Sequence, residues 1–553
     1  LSVPTFDIES LEWVNPIAVG FYSGEEYYEF LKAGDEVDVI WEFLKFLGKS
    51  YTGLKVYAHN AAGYDNKFIL DCLSRHDQEV NFAAGMGKLV WVGPNISFED
   101  SYLLLGRNLA TCCVAFDVPR KLEWKHDTTV NIWEMGPRLD AFRAYLRRDC
   151  ISLSEVLDSF TKKLVSNFGV TPSSTLALTA IKAFDRRFYP MKKIASNIEF
   201  EVFTRAATYG GRNEVYKRYG ESINFYDVKR MFMSCYNTPV PVGKMSWRNP
   251  NIDRGTCAEA MVKVPDMLVG PLPHRYQGRL IFPTGEFKDW WDMYELRNAI
   301  KLGVDVTLVR QLEGEEVPIL EGFSNVVDQL SEESNADLGR IWKLFGLRLS
   351  GKFGQHGIKT EIKHVRDLKE GEYAPLDKNE IYHEVVTSRN GRPSPYIKPA
   401  INMRVRAEAR IRHLDALLSA KDIYYCNTDS VYTTNQLPVG DNIGDLKLVD
   451  YAERAYFIGS KFYGYVDKFG RLKQKTAGYR DYQLTEYDLQ RVLRGEEIPC
   501  AFKRLGDWKD VLKGQGVQLV DRTFTYRQAE LSNRRMGEVE TSPIRLKGGR
   551  VVN

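Results

Sequence analysis

The chain has no CxxC pair, no internal repeat, no low-complexity tract and no run near the roughly 20 apolar residues that a membrane helix needs. Each absence removes a class of protein. Eight scattered cysteines, with Cys112 and Cys113 adjacent, exclude a zinc ribbon or a disulfide framework and are expected to be reduced core residues. Net charge is nearly absent too: 76 basic residues against 73 acidic ones leave +3, so no global field points to nucleic acid. The basic clusters FDRRFYPMKK, NMRVRAEARIRH and LSNRRMGEV read individually as solvated faces. The opening LSVPTFDIES lacks a basic region followed by an apolar stretch, so no secretory leader is expected. Its missing Met predicts a trimmed or fragmentary start, and a cytoplasmic setting is the expectation.

What is present is length with ordinary composition. At 553 residues, 44% hydrophobic and 27% charged, the chain exceeds what one core organises and predicts a large multidomain enzyme. A boundary is expected near residue 170, where SNFGVTPSSTLAL separates a helical pattern ending around Leu164 from another starting near Thr175. Residues 355–399 are polar and turn-rich, with SRNGRPSP resembling a hairpin tip. They read as an insertion between a helical segment and another over residues 402–418.

The most informative pattern is YYCNTDSVYTT. Residues 423–426 and 431–434 are β-branched and aromatic, and the four between them are turn formers, which predicts a hairpin with Asp429 at its tip. In INFYDVKRMF, Asp227 ends a second strand-like run. Two carboxylates delivered by separate strands make a magnesium site for phosphoryl transfer, whereas a polar turn alone is only a turn.

A second acid set occupies the first third. In PTFDIES the period of two places Asp7 and Glu9 on one strand face. VYAHNAAGYDNKFIL sets Asp65 at an element junction, and in AYLRRDCISL Tyr145 and Asp149 stand one helical turn apart. Asp7, Glu9, Asp65 and Asp149 together suit two magnesium or manganese ions about 4 Å apart, and the Tyr145 phenol would orient attacking water. His59 reads as an ordinary histidine.

These three segments, in this order, resemble the DxE, Nx2–3(F/Y)D and YxxxD motifs of DnaQ-like 3′-to-5′ proofreading exonucleases. The resemblance implies that Asn60 and Tyr64 touch a single-stranded primer end. The whole chain resembles family B DNA polymerases, most closely the protein-primed branch of linear phage genomes and linear plasmids. It implies an α/β and α+β multidomain fold: an RNase H-like exonuclease domain over residues 1–170, then a right-hand polymerase domain over 171–553. Within the latter, fingers are expected near 321–354, a terminal-protein-contacting insertion near 265–320, a strand-displacement insertion near 355–398 and a thumb near 485–553.

The same resemblance assigns roles. YDVKRMFMS stands for motif A: Asp227 and the Val228 carbonyl are implied metal donors, and Phe232 takes the place of the tyrosine under the incoming sugar, although locally it reads equally as a core residue. Arg230 and Met233 depart from that motif. KLFGLRLSGKFG stands for motif B, keeping Lys343 for the nucleotide phosphates and Gly351, but carrying Leu347, Arg348 and Ser350 where the family has Asn, Ser and Tyr. Lys343 as a solvated lysine is the alternative. YYCNTDS stands for motif C, with Asp429 kept and the first acid replaced by Asn427.

GSKFYGYVD matches the KxY motif, where strand alternation would set Lys461 and Tyr463 together at the primer terminus. ATYGGRNEVY matches YxGG with Thr208 in the tyrosine position, and Gly210 and Gly211 would let backbone approach template phosphates. KTAGY at 475–479 and LVDRTFTYR at 519–527 resemble thumb and C-terminal segments. The implied partners are template-primer DNA, dNTPs and a terminal protein as primer, with no membrane and a monomeric state. Divalent magnesium, or manganese, is the implied cofactor. The competing expectation is a DNA-binding 3′-to-5′ exonuclease whose polymerase half is weakened or inactive, and a further one is a binding module without catalysis.

Overall fold

A computed structural model of the chain describes residues 2–552 apart from 84–86, 123, 125–129, 357, 365, 367–374, 377–378, 389–393, 478–482, 529–532 and 537–539. The centre of the SRNGRPSP tip, the end of KTAGY and parts of LSNRRMGEV lie outside the described residues.

Alternation in TFDIESL does what the period of two requires. The strand Thr5–Leu11 turns Phe6 and Ile8 into a core with Phe43, Val56 and Phe98, leaving Asp7 on the other face. It pairs antiparallel with Asn15–Tyr22 and parallel with Lys55–Ala58, inside a ten-stranded sheet. The long helix Leu139–Phe168 covers that face. It is tied down where Thr5 Oγ1 donates to the Cys150 carbonyl at 2.7 Å and Ser154 Oγ to the Val3 carbonyl at 2.7 Å. The helix runs past the expected Leu164 to end at left-handed Gly169, and Thr175 caps the next one, Leu176–Arg187.

A second sheet of seven strands carries the predicted hairpin, Ile423–Asn427 and Ser430–Thr433, beside Tyr219–Val228. One of its faces is packed with aromatics: the Phe225 and Tyr432 rings stack at 4.1 Å, with Tyr425, Phe457 and Tyr463 around them. A third sheet of six strands joins Ser246–Arg248, Cys257–Val264, Thr284–Asp292 and Asp305–Glu313 to Arg545–Lys547 and Arg550–Val552. Two helices, Glu321–Glu333 and Ala336–Phe353, form an arm packed on the helices Leu139–Phe168 and Leu176–Arg187 through Phe323, Trp342 and Phe345, and the second is capped by the Asn335 side chain. Leu338, Trp342, Phe345 and Leu349 bury its inner stripe.

Long-range packing adds four features that local patterns did not carry. The third sheet starts at Ser246, well before residue 265, because Cys257–Val264 is the strand that pairs both Thr284–Asp292 and Asp305–Glu313. Ile358–His364 and Asn379–Ser388, from the expected insertion over 355–398, extend the N-terminal sheet by pairing Ile362 with Phe82, so that insertion docks on the first third of the chain. Residues 485–553 are no single unit. Their ribbon Ile498–Leu505 and Leu519–Tyr526 is joined by a segment whose Trp508, Val511 and Leu512 pack into the N-terminal core, while the last strands belong to the third sheet.

The fourth concerns charge. The basic helix Pro399–Ser419 is not a solvated face: Arg404 is fully buried, paired with Asp292 at 2.7 Å and Glu316 at 2.6 Å, and Arg410 pairs with Glu295 at 2.6 Å. An arginine removed from water survives only with such partners, so these pairs lock the helix to Asp292 at the end of the third sheet, to the helix Met293–Lys301 through Glu295 and to the short strand Glu316–Val317. Arg534 of the LSNRRMGEV cluster is likewise buried against Glu214. FDRRFYPMKK does keep Arg186, Arg187, Lys192 and Lys193 exposed, and all eight cysteines are buried and free. Among the described residues no helix is long and apolar enough to cross a membrane.

Candidate active sites

The fold builds two acid sites. In the first, carboxylate oxygens of Asp7, Glu9 and Asp149 lie within 4.8 Å of one another, brought together by a strand and the helix crossing it. Asp65, at the start of helix Asp65–Arg75, accepts the Ile8 N–H at 3.1 Å and so stands beside them. The loop before it is held by Asp100, which accepts from the Ala62 and Tyr102 N–H groups at 3.1 and 2.8 Å. Asn60 is exposed there in a left-handed conformation, and the Tyr64 hydroxyl meets Ser10. His59 hydrogen-bonds Ser101, and burial lowers it to about 4, so it is neutral.

Sequence reasoning missed Lys121. Its ammonium donates to Asp149 and, at 2.9 Å, to the Tyr145 hydroxyl, fixing the phenol beside the acids. No local pattern marks this lysine, because its partners are 24 and 28 residues away. Acids, tyrosines, Lys121 and Asn60 line one groove of about 480 Å³.

The electrostatics of this groove fit a cation. Burial first, and then the neighbouring charges of Glu9, Asp149 and Asp65, push Asp7 well up. Burial raises Glu9 to about 7 against the pull of Lys121, and raises Asp65 to about 8 against two backbone N–H donors. Crowded carboxylates that hold protons near neutrality are a donor set for divalent ions, which relieve the repulsion. Because their folded values lie above the ordinary carboxylate value of about 4, the folded state binds more protons between those limits. Stability from these groups is therefore present at low pH and is lost as pH rises through about 7 to 8. In chelator, the melting temperature is expected to fall from pH 5 to pH 8 (~ values bracketing the titration), with a shallower fall for Asp65→Asn and for the parent in magnesium. Calorimetry across that range checks it, and equal slopes in all three samples would refute it.

In the second site, Ser430 pairs directly with Asp227, and the Val228 N–H donates to the Asp429 carbonyl at 2.8 Å. The two acids thus meet from adjacent strands. Burial and the Asp227 charge raise Asp429 to about 7, and burial raises Asp227 against the nearby Lys447 and Lys475. Asn427 turns its amide oxygen to Asn213 Nδ2 and Thr428 Oγ1, both at 3.2 Å. His413, neutral because burial lowers it to about 4, donates to the Ser430 carbonyl at 3.0 Å and steadies the hairpin from the basic helix.

Lys343 is half-buried in the middle of the helix Ala336–Phe353. Burial and then the neighbouring cations Arg230, Lys447 and Arg340 lower it, and Lys447 also neighbours Asp227. Arg230 itself pairs with Asp328 of the arm. Phe232, Leu347, Ser350 and Gly351 line an adjoining groove of about 1190 Å³. A Cβ on Gly351 would meet nothing within 4 Å, so packing inside the chain does not demand glycine there. Ser350 is buried, with its N–H donating to the Tyr236 hydroxyl at 3.1 Å.

Three of the expected residues have structural surroundings that their local sequence did not show. Tyr463 is buried, its hydroxyl bonded to that of Tyr432 at 2.9 Å, and Lys461 has left-handed backbone before the strand Phe462–Asp467 begins, so alternation does not pair them on one side. Gly211 is required by the hairpin tip: a Cβ would lie 2.7 Å from Thr428 Cγ2 and 3.0 Å from its Cα. Gly210 has room, its nearest neighbour being Leu280 at 3.6 Å. Tyr209, next to Thr208, is buried and donates to the Trp290 carbonyl at 2.8 Å.

The chain is similar to known proteins in sequence and in fold. The sequence model of the family described as DNA polymerase type B, organellar and viral, matches residues 120–430. A protein of Neurospora intermedia named "Probable DNA polymerase" is 25% identical over 559 residues, covering 84% of this chain and 57% of the relative. One of the same name from Ascobolus immersus is 23% identical, covering 100% of this chain and 53% of the relative, so the chain spans about half the length of these fungal proteins. The DNA-directed DNA polymerase of Enterobacteria phage PRD1 is 23% identical over 440 residues, covering 75% and 73%. In fold, the chain is similar to Phi29 DNA polymerase complexed with primer-template DNA and incoming nucleotide, with a TM-score of 0.70, 17% identity, and coverage of 95% of this chain and 99% of that one. Since the matched segment takes up more than half of its length, the chain belongs to the type B DNA polymerases of organelles and viruses.

Proposed function

We propose that the chain is a DNA-directed DNA polymerase with 3′-to-5′ exonuclease proofreading, primed by a terminal-protein hydroxyl and capable of strand displacement on a linear genome. The observation that carries the synthetic reading is the meeting of Asp227, on its strand, with Asp429, in the turn of the neighbouring hairpin, with Lys447 and Lys475 close by. Asp227, Asp429 and the Val228 carbonyl would hold magnesium at one site, and Asp7, Glu9, Asp65 and Asp149 at the other. When bound, the ions supply Lewis acidity to a 3′-hydroxyl or a water and neutralise charge on the phosphorus oxygens.

The chain's own groups do the rest. Lys343, with Arg230 and Lys447 near it, binds the triphosphate by charge, and Phe232 walls the sugar. At the other site the Tyr145 phenol, held by Lys121, orients the attacking water. Asn60 and Tyr64 hold the single-stranded end. Residues 265–320 would meet the terminal protein, and residues 355–398 would enclose product DNA for strand displacement. The setting is the cytoplasm of an infected cell or the compartment of a linear plasmid, and the working unit is a monomer.

The test is extension of a primed template with dNTPs and magnesium or manganese. Template-directed addition is expected; protein that binds DNA and dNTP yet adds nothing would overturn the reading. The competing reading, a nuclease with a silent polymerase half, is favoured by one observation: the amide oxygen of Asn427 is already engaged by Asn213 and Thr428. Restoring the acid with Asn427→Asp keeps both acceptor contacts and adds a negative charge beside Asp429. It is expected to lower the magnesium concentration that half-saturates extension, measured by metal titration. An unchanged or raised value would show that position 427 takes no part in holding the ion.

A further inference from the structure

Trp13 stands at the tip of the hairpin that joins Thr5–Leu11 to Asn15–Tyr22. The turn is closed by the Val14 N–H donating to the Leu11 carbonyl at 3.0 Å. Both central residues, Glu12 and Trp13, have left-handed backbone, with φ of 48° and 67°. Such turns ordinarily carry Asn-Gly or Asp-Gly, because other side chains are strained there. Strain of this kind is retained where surrounding structure or function requires it. The side chain so presented is 60% exposed, unusual for tryptophan, which is mostly buried on average.

The position of the ring explains neither core packing nor the turn. It meets the Tyr64 ring edge-on, at 6.1 Å and 85°, and it lines the same groove as Asp7, Glu9, Asp65 and Asp149. Lys503, Arg504, Leu505 and Leu519 of the ribbon Ile498–Leu505 and Leu519–Tyr526 line that groove as well. Lys503 and Arg504 are exposed, and Arg504 shares its charge with Asp507 at 2.8 Å. An exposed aromatic plane at the mouth of an acid-lined groove, with cations from a separate element, matches how single strands are held. Bases stack on the ring while phosphates meet the cations.

We propose that Trp13 is a nucleobase-stacking platform for a single-stranded 3′ end entering the acid groove, with Lys503 as a phosphate contact on the ribbon. The proposal rests on the exonuclease reading above and adds a binding subsite to it. A base stacked on Trp13 would be steered toward Tyr64 and the acids. The ribbon's contribution would make docking of residues 508–517 on the N-terminal core part of the nuclease site.

The test uses the full chain with Trp13→Ala and Trp13→Phe. In an Asp7→Ala background, which leaves DNA uncut, binding of a 5′-fluorescein oligothymidylate is read by anisotropy. Trp13→Ala is expected to raise Kd about ten-fold and Trp13→Phe to restore it within about two-fold. With the acids intact, the loss on single-stranded DNA should appear in KM far more than in kcat. Lys503→Ala should reduce the slope of log Kd against log salt by about 0.7. Parent-like Kd and KM in Trp13→Ala would overturn the platform, and an unchanged salt slope would overturn the role of Lys503. If the oligomer binds in a Trp13-dependent way but the parent never hydrolyses it, the exonuclease reading falls and the stacking subsite stands.

Discussion

Asp227→Ala is expected to reduce templated nucleotide addition about a thousand-fold while 3′ degradation of single-stranded DNA continues. The size follows from several kcal/mol of charge stabilisation that a metal-holding carboxylate makes possible, at about 1.4 kcal/mol per factor of ten. Specificity follows from placement. Asp227 contacts the hairpin through its pairing with Ser430, and the N-terminal acids sit on a different sheet and the helices beside it. Asp429→Ala should behave alike, because the two acids neighbour each other and either one alone is an incomplete donor set. Steady-state extension on a primed template measures the loss. Retention of even a tenth of parental addition would mean that Asp227 does not hold the reacting ion.

Asp7→Ala is expected to give the mirror result: loss of single-strand degradation by a factor on the order of a thousand, with extension kept. Asp7 is half-buried in its cluster and is raised by burial and then by three neighbouring acids, so its removal both deletes a donor and relaxes the charge crowding that recruits a cation. The remaining carboxylates should then lose affinity for magnesium. Degradation of an end-labelled oligomer in the presence of template-free protein measures it. Variants that lose both activities together would point to misfolding or to a single shared site, and two separable losses would exclude the silent-polymerase alternative. That separation matters because Asn427, Leu347 and Ser350 all depart from what the motifs of the resembled family carry.

Legibility differed from residue to residue for identifiable reasons. Asp7 and Glu9 were readable because their facing depends only on strand period, and Tyr145 with Asp149 because helical geometry sets them one turn apart. The hairpin around Asp429 was readable because turn formers interrupt β-branched runs. Alternation could not set Lys461 and Tyr463 side by side, since it holds only inside a strand and Lys461 precedes one in a left-handed conformation. The need for glycine at 211 was not legible, because it comes from Thr428, more than 200 residues away in sequence. Lys121 carried no local signal at all.

Sequence alone therefore determined the order of the acid motifs, the face each carboxylate takes on its own strand or helix, and the reduced, core-bound state of the cysteines. These follow from periodicity and side-chain chemistry, which act over a few residues. Only the tertiary structure decided which cations join which acids, that Arg404 and Arg410 are buried in ion pairs, and that the strands Ile358–His364 and Asn379–Ser388 extend the N-terminal sheet. Charge pairing and sheet extension depend on which surfaces meet when the whole chain packs. Residues hundreds of positions apart leave no local trace of that meeting.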